Sequence, residues 1–266
     1  MAEHLRDLSS SLEDLPFLWL YPLLLGLVVG SYLNVVVHRL PLGLSTVRPA
    51  SRCPGCGTQI RPWDNIPVLS FVLLRGRCRD CQEPIGWRYP AIEAATGLLF
   101  VAALVRFGPS VQAWIAALFI CFLLLLAFID LDHYMLPNRL TYPGLLIGLL
   151  LSPLWERTTL FSSLLGAALG AAVILIFNGL WWVLRKVQGF GLGDAKMLAM
   201  IGAFLGPAGV AVTLVFASLT GAATGILLML RHRLGMQSKL PFGTFLTAGA
   251  LVTLFFGPGL VAWYLG

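Results

Sequence analysis

The chain has 266 residues, 58% of them hydrophobic and only 11% charged, with a net charge of +6. Soluble domains carry about 25% charged residues, so an ordinary soluble domain is excluded. The basic excess reads as membrane topology with lipid contact, and not as a nucleic-acid partner.

Residues 15–37 carry no charge, and a bilayer-spanning helix needs roughly 20 apolar residues. This first run is too long for the apolar part of a signal peptide, and its leading flank is acidic (Glu3, Asp7, Glu13, Asp14) rather than basic. Residues 1–38 are therefore expected to hold an N-terminal segment and the first transmembrane helix. Residues 39–89 follow as a polar loop with eight arginines between Arg39 and Tyr89, an excess typical of cytoplasmic loops.

The remaining residues, 90–266, alternate apolar runs with short polar joints. Further uncharged runs cover 107–129, 140–155, 158–184, 197–230 and 241–266. Starting from a cytoplasmic 39–89 loop, 90–106 leaves, 111–130 returns, 139–155 leaves and 158–184 returns. The 34 uncharged residues 197–230 begin beside Lys196 and end at Arg231, so they must cross twice, with Gly206-Pro207 as the external turn. The stretch 241–264 exits last. The expected fold is an all-α polytopic membrane protein of about eight transmembrane helices, since helices alone suit runs this long and apolar. Both termini then lie outside, and fifteen of the eighteen Lys and Arg lie inside, leaving Arg6, Arg106 and Arg157. No internal repeat or low-complexity segment is evident.

Four carboxylates stand at or near helix ends within the membrane part: Glu93, Asp130, Asp132 and Asp194. Inserting a charge at the centre of a spanning helix costs roughly 2.5–3.5 kcal/mol, so such groups tend to be functional. The expected topology places Asp130 at the end of the third helix and Asp194 at the start of the sixth, at one depth on the cytoplasmic side. Facing aspartates suit aspartyl protease chemistry, in which one carboxylate takes a proton from water while a protonated partner polarises the scissile carbonyl. Gly189, Gly191 and Gly193 precede Asp194, where glycine permits unusual backbone angles and close approach of a substrate. The plainer alternative makes Asp194 a helix cap. A nucleotide loop is disfavoured by the G-x-G-x-G spacing and the absence of a preceding strand. Asp132 either shares in catalysis or is a solvated loop residue beside His133. Glu93 is either functional or paired with Arg88.

Cys53-x-x-Cys56 and Cys78-x-x-Cys81 are separated by 21 residues, close to the spacing of a four-cysteine zinc site. Two disulfides or a redox pair are the alternative; the cytoplasmic arginines favour reduced thiols and hence zinc. Cys121, inside the third helix, reads as ordinary packing.

GLGDAK at 191–196 and FIDLDHYMLPNRLT at 128–141 resemble the type IV prepilin leader peptidases, membrane aspartyl proteases of the GxGD type. The resemblance extends to GSYLNVVVHRLP at 30–41, to the cysteine block SRCPGCGTQIRPWDNIPVLSFVLLRGRCRDCQEPIGWRYPAIEAATG at 51–97, and to KLPFGTFLTAGA at 239–250. It implies catalytic Asp130 and Asp194, with Asp132 the lesser of its pair and Gly191, Gly193 and Lys196 in support. It also implies an inner-membrane endopeptidase that cuts prepilins or pseudopilins at the cytoplasmic face. The four-cysteine form implies methylation of the new N-terminus with S-adenosylmethionine; no residue here independently marks a methyl-donor pocket. Two rival readings are a transporter or channel with intramembrane aspartates and a zinc-regulated loop, and a membrane scaffold.

Overall fold

The computed structural model describes residues 17–186, 191–231 and 240–265. Gly189, Arg233, Lys239 and the N-terminal acidic residues, with Arg6, fall outside them. The described residues are helical apart from loops and two isolated β-bridges, and hold no strand. The chain forms two compact units that divide between Ala113 and Trp114.

In the first unit, α1 (Phe17–Arg39) packs on α3 (Arg88–Phe107). Helices in lipid gain little from apolar contact alone, so they associate through small residues that let backbones approach. Gly26 and Gly30, four residues apart on α1, supply this. A Cβ on Gly26 would lie 2.7 Å from Gly97 Cα, and one on Gly30 would lie 2.7 Å from Glu93 Cα. Asn34 Nδ2 adds a hydrogen bond to the Tyr89 carbonyl at 3.1 Å.

Between these helices run the cysteine loop and the short α2 (Leu69–Leu73). The loop contains one turn built twice. Cys53 N–H donates to Thr58 O and Gly57 N–H to Cys53 O; Cys78 N–H donates to Glu83 O and Gln82 N–H to Cys78 O. Each Cys-x-x-Cys is followed by a left-handed residue, Gly57 at φ 71° and Gln82 at φ 60°. A short local repeat is thus present, and the letters carry it too: both copies read Arg-Cys-x-x-Cys-x-x-x-Ile, from Arg52 to Ile60 and from Arg77 to Ile85.

The second unit contains α4 (Val111–His133), α5 (Asn138–Leu151), α6 (Leu160–Arg185), α7 (Leu192–Leu230) and α8 (Phe242–Leu265). The first half of α7 is its core, with Met197, Leu198, Met200 and Ile201 fully buried. Glycines again set the packing. Gly166 and Gly170 on α6 meet the Gly202 and Leu198 carbonyls, and Gly144 and Gly148 on α5 face Met200 and Phe204. The Phe119 ring of α4 stacks on Phe204 at 4.4 Å.

α7 breaks at Gly206 (φ 70°, ψ −177°), ahead of Pro207. The break frees carbonyls that lipid cannot satisfy, and the Trp155 indole N–H donates to Phe204 O at 2.7 Å. The contacts of α8 show that the chain reverses there. Thr244 and Thr247 donate to Ala127 O and Leu123 O, so α8 runs antiparallel to α4. Thr253 meets Thr213 and Gly249 meets Thr213 O and Ala217 N, whereas Phe245 meets Gly221. Residues 213 to 221 therefore run back toward the end of the bundle where α7 began.

Six described helices are long and apolar enough to cross a membrane. The expected eight needs the two halves of α7 counted apart and α5 added. α5 has 14 residues, about 21 Å at 1.5 Å per residue, against a hydrocarbon core of about 30 Å. Helix length alone does not carry the count of eight.

Candidate functional site

Asp130 sits in the last turn of α4 and is 5% exposed; Asp194 sits in the first turn of α7 and is 8% exposed. They are close enough to interact electrostatically. The fold brings the two together from opposite ends of different helices, so their 64-residue separation in sequence closes within one unit.

The start of α8 completes the place. The backbone N–H groups of Gly243 and Thr244 lie beside the Asp130 carboxylate. Those are first-turn groups of a helix, whose N–H groups lack partners within the helix and favour an anion. Asp130 Oδ2 nonetheless has no hydrogen-bond partner, although it is buried. A buried carboxylate oxygen without a donor costs free energy and calls for a functional explanation. Leu136, in the joint between α4 and α5, lines the same place: it lies 3.0 Å from a Cβ built on Gly193 and 3.1 Å from one built on Gly243.

Asp194 also caps its helix, though not at the cap position. Gly191 is the N-cap, and Asp194, three residues on, accepts the Gly191 N–H through Oδ2 at 3.0 Å. Capping and membership of the carboxylate pair are thus held by one side chain. Gly191 has an ordinary φ of −71°, and Gly193 lies in the helix without a positive φ. The expectation of unusual backbone angles is corrected there. The glycines supply room instead, Gly191 for the Asp194 carboxylate at 3.3 Å and Gly193 for Leu136.

Asp132 and His133 are exposed. Residues two apart on a helix do not share a face, so Asp132 points away from the direction of Asp130. Lys196 reaches to the start of α5, donating from Nζ to Asn138 Oδ1 at 2.8 Å and lying 5.3 Å from the Tyr142 ring centroid. It fastens α7 to α5 beside the carboxylates.

The four cysteines converge as their spacing predicts. The Sγ atoms of Cys53, Cys56, Cys78 and Cys81 all lie within 4.8 Å of one another, and none is in a disulfide. Cys53 and Cys81 are 3.7 Å apart, matching the edge of about 3.8 Å that a tetrahedron of 2.3 Å Zn–S bonds requires. The Thr58 hydroxyl, then its amide, bring the Cys56 thiol down to about 7. Against the pull of the Glu83 amide, desolvation and the neighbouring thiols push Cys81 up to about 12. Four thiols this close cannot all ionise without a cation among them, which is the electrostatic demand a divalent metal meets. An ion pair braces the loop: Arg79 grips Asp64, with Nη2 2.6 Å from Oδ1, and holds that carboxyl below its ordinary range.

One feature escaped sequence reasoning. Gly243 was visible only as part of a closing helix, and the one clue to it was the turn-forming Pro241-Phe242-Gly243 before an apolar run. Glu93, expected to be either functional or paired with Arg88, has as partners the Val68 N–H at 2.7 Å and the Ser31 hydroxyl.

Residues 24–107 match the family model described as the bacterial peptidase A24 N-terminal domain, and residues 117–226 match that of the type IV leader peptidase family. Among curated proteins, one from Burkholderia pseudomallei (strain 1026b) is 42% identical, over 89% of this chain and 85% of its own length. One from Aeromonas hydrophila is 37% identical over 93% and 94% of the two chains, and one from Legionella pneumophila 33% identical over 94% and 95%. All three bear the name prepilin leader peptidase/N-methyltransferase. No solved structure matches the chain.

Proposed function

The chain belongs to the type IV leader peptidase family, and from that membership we propose that it is a membrane aspartyl endopeptidase whose catalytic pair is Asp130 and Asp194. The observation that carries the assignment of residues is the buried, partnerless Asp130 Oδ2 beside Asp194. One carboxyl draws a proton from water, the other hands a proton to the scissile carbonyl, and the start of α8 at Gly243 and Thr244 stands beside Asp130. Leu136, Gly191, Gly193 and Lys196 shape the ground around the pair.

The substrates are prepilin or pseudopilin precursors, cut at the cytoplasmic face of the inner membrane, with both termini of the enzyme on the other side. An active site at the ends of α4, α7 and α8 suits a substrate whose apolar helix stays in lipid while its basic leader stays in water. The transporter reading finds no support among the relatives.

Residues 1–38 serve as the N-terminal segment and first helix, 39–89 as the zinc-holding loop, and 90–266 as the peptidase bundle. Cys53, Cys56, Cys78 and Cys81 hold one structural zinc ion. After cleavage, S-adenosylmethionine supplies a methyl group to the new N-terminal amine, as the second half of the relatives' name implies.

The test is Asp130→Asn and Asp194→Asn, each expected to lower leader cleavage by about 10²-fold or more while membrane insertion persists. A normal cleavage rate in Asp194→Asn overturns the aspartyl mechanism.

A further inference from the structure

A cavity of about 270 Å³ opens within the first unit, lined by α1, α3 and the cysteine loop. Cys53 and Cys78 form part of its wall, and Ser31, Asn34, Tyr89 and Glu93 contribute from the helices. Among its carboxylates, Asp64 and Asp80 are matched by Arg79 and Arg61, and Glu83 is exposed. Glu93 is different: it is 9% exposed, and its partners are an amide and a hydroxyl rather than a cation.

The loop holds Glu93 through an unusual turn. Val68, a β-branched residue, has φ 58° and ψ −47°, and Leu69 N–H bonds to Pro67 O at 2.5 Å. This is a γ-turn of the rare, strained hand, and it aims the Val68 N–H at Glu93 Oε2. Strain of this kind persists where surrounding structure enforces it, commonly at functional sites. Glu93 also lies in the second turn of a spanning helix, the depth at which the new amine of a cleaved pilin would emerge from its apolar helix.

We infer that this cavity is the methyl-transfer site and that Glu93 is the carboxylate that receives the new N-terminal ammonium. The inference rests on the methylation reading above. The volume falls just under the usual range of small-molecule sites, matching the reacting ends of donor and acceptor rather than a large cofactor held whole. Glu93 takes one proton from the ammonium and leaves a free amine. The nitrogen lone pair attacks the methyl carbon of the sulfonium donor, the C–S bond breaks, and its electron pair stays on sulfur as a thioether. The methylated nitrogen keeps the positive charge, and the proton on Glu93 passes to water.

The experiment uses the full-length enzyme in detergent with a prepilin, S-adenosylmethionine, S-adenosylhomocysteine and a peptide bearing the mature pilin N-terminus. Glu93→Gln is expected to cleave the leader at the wild-type rate and to retain its metal. Methyl transfer should fall about 10²-fold or more, and Glu93→Asp should restore part of it. Binding of the peptide, read by calorimetry, should weaken at least tenfold, to the level of its N-acetylated form, while S-adenosylhomocysteine binding changes less than twofold. On the wild-type enzyme, a photoreactive S-adenosylhomocysteine should label residues within 31–39 or 51–93. Wild-type methyl transfer or unchanged peptide binding in Glu93→Gln, or labelling confined to residues beyond 114, overturns the inference alone. A wild-type enzyme that cleaves but adds no methyl group overturns the methylation reading as well.

Discussion

A Cβ atom added to Gly243 would stand 2.9 Å from Oδ2 of Asp130 and 3.1 Å from Leu136 Cδ2. Such a contact is closer than real Cβ atoms tolerate, and the carboxylate that must yield is one of the proposed catalytic pair. Gly243→Ala is therefore expected to reduce cleavage, by about 10²-fold if the carboxylate moves by an ångström. Gly259→Ala, on the same helix with nothing within 4 Å of the new methyl, should leave cleavage unchanged. Quantified prepilin processing by the two variants in parallel checks this; equal rates would show that Asp130 does not depend on the close approach of α8.

Asp132 offers the complementary case. It is exposed and lies two positions along α4 from Asp130, so it faces elsewhere. Asp132→Asn should retain most of the wild-type cleavage rate under conditions where Asp130→Asn shows none. Loss of activity in both would place Asp132 in the reaction.

With the proposed zinc in place among the four cysteines, metal binding and folding of the loop are expected to be coupled. Replacing Cys53 and Cys56 by Ser should remove one zinc per chain in elemental analysis and render residues 53–81 sensitive to protease. Cleavage should fall in part, because the aspartates belong to the other compact unit. Methyl transfer should fall further, because Cys53 and Cys78 line the Glu93 cavity. Full metal content in the double variant, or a disulfide recovered after thiol blocking, would refute the zinc site.

The reversal at Gly206 gives a topological expectation. Reporter fusions after Arg157 and after Pro207 should both read periplasmic, and a fusion after Arg233 cytoplasmic. A cytoplasmic signal after Pro207 would mean that α7 crosses once, against the antiparallel contacts of residues 213 to 221 with α8.

The sequence by itself determined the material of this protein. Its uncharged runs dictate helices because lipid leaves backbone groups no other partner, and the arginines are the basis for the proposed sidedness of the loops. The paired Cys-x-x-Cys motifs converge as spaced because their turns are local and their chemistry is shared. Asp130 and Asp194 stood out because a carboxylate at a membrane helix end is costly. Tertiary structure decided what lies across space from each of these. Gly243 matters through a carboxylate 113 residues earlier in the chain, and no local pattern encodes that proximity. Gly191 and Gly193 proved to be clearances for Asp194 and Leu136 rather than sites of unusual φ, since a glycine letter records freedom but not its use. Glu93 read as either a functional carboxylate or a partner for Arg88, five positions before it, and α1 and the loop folded over it and offered Ser31 and the Val68 amide. Burial and partnership are properties of surfaces brought together, and the order of residues specifies them only through the fold.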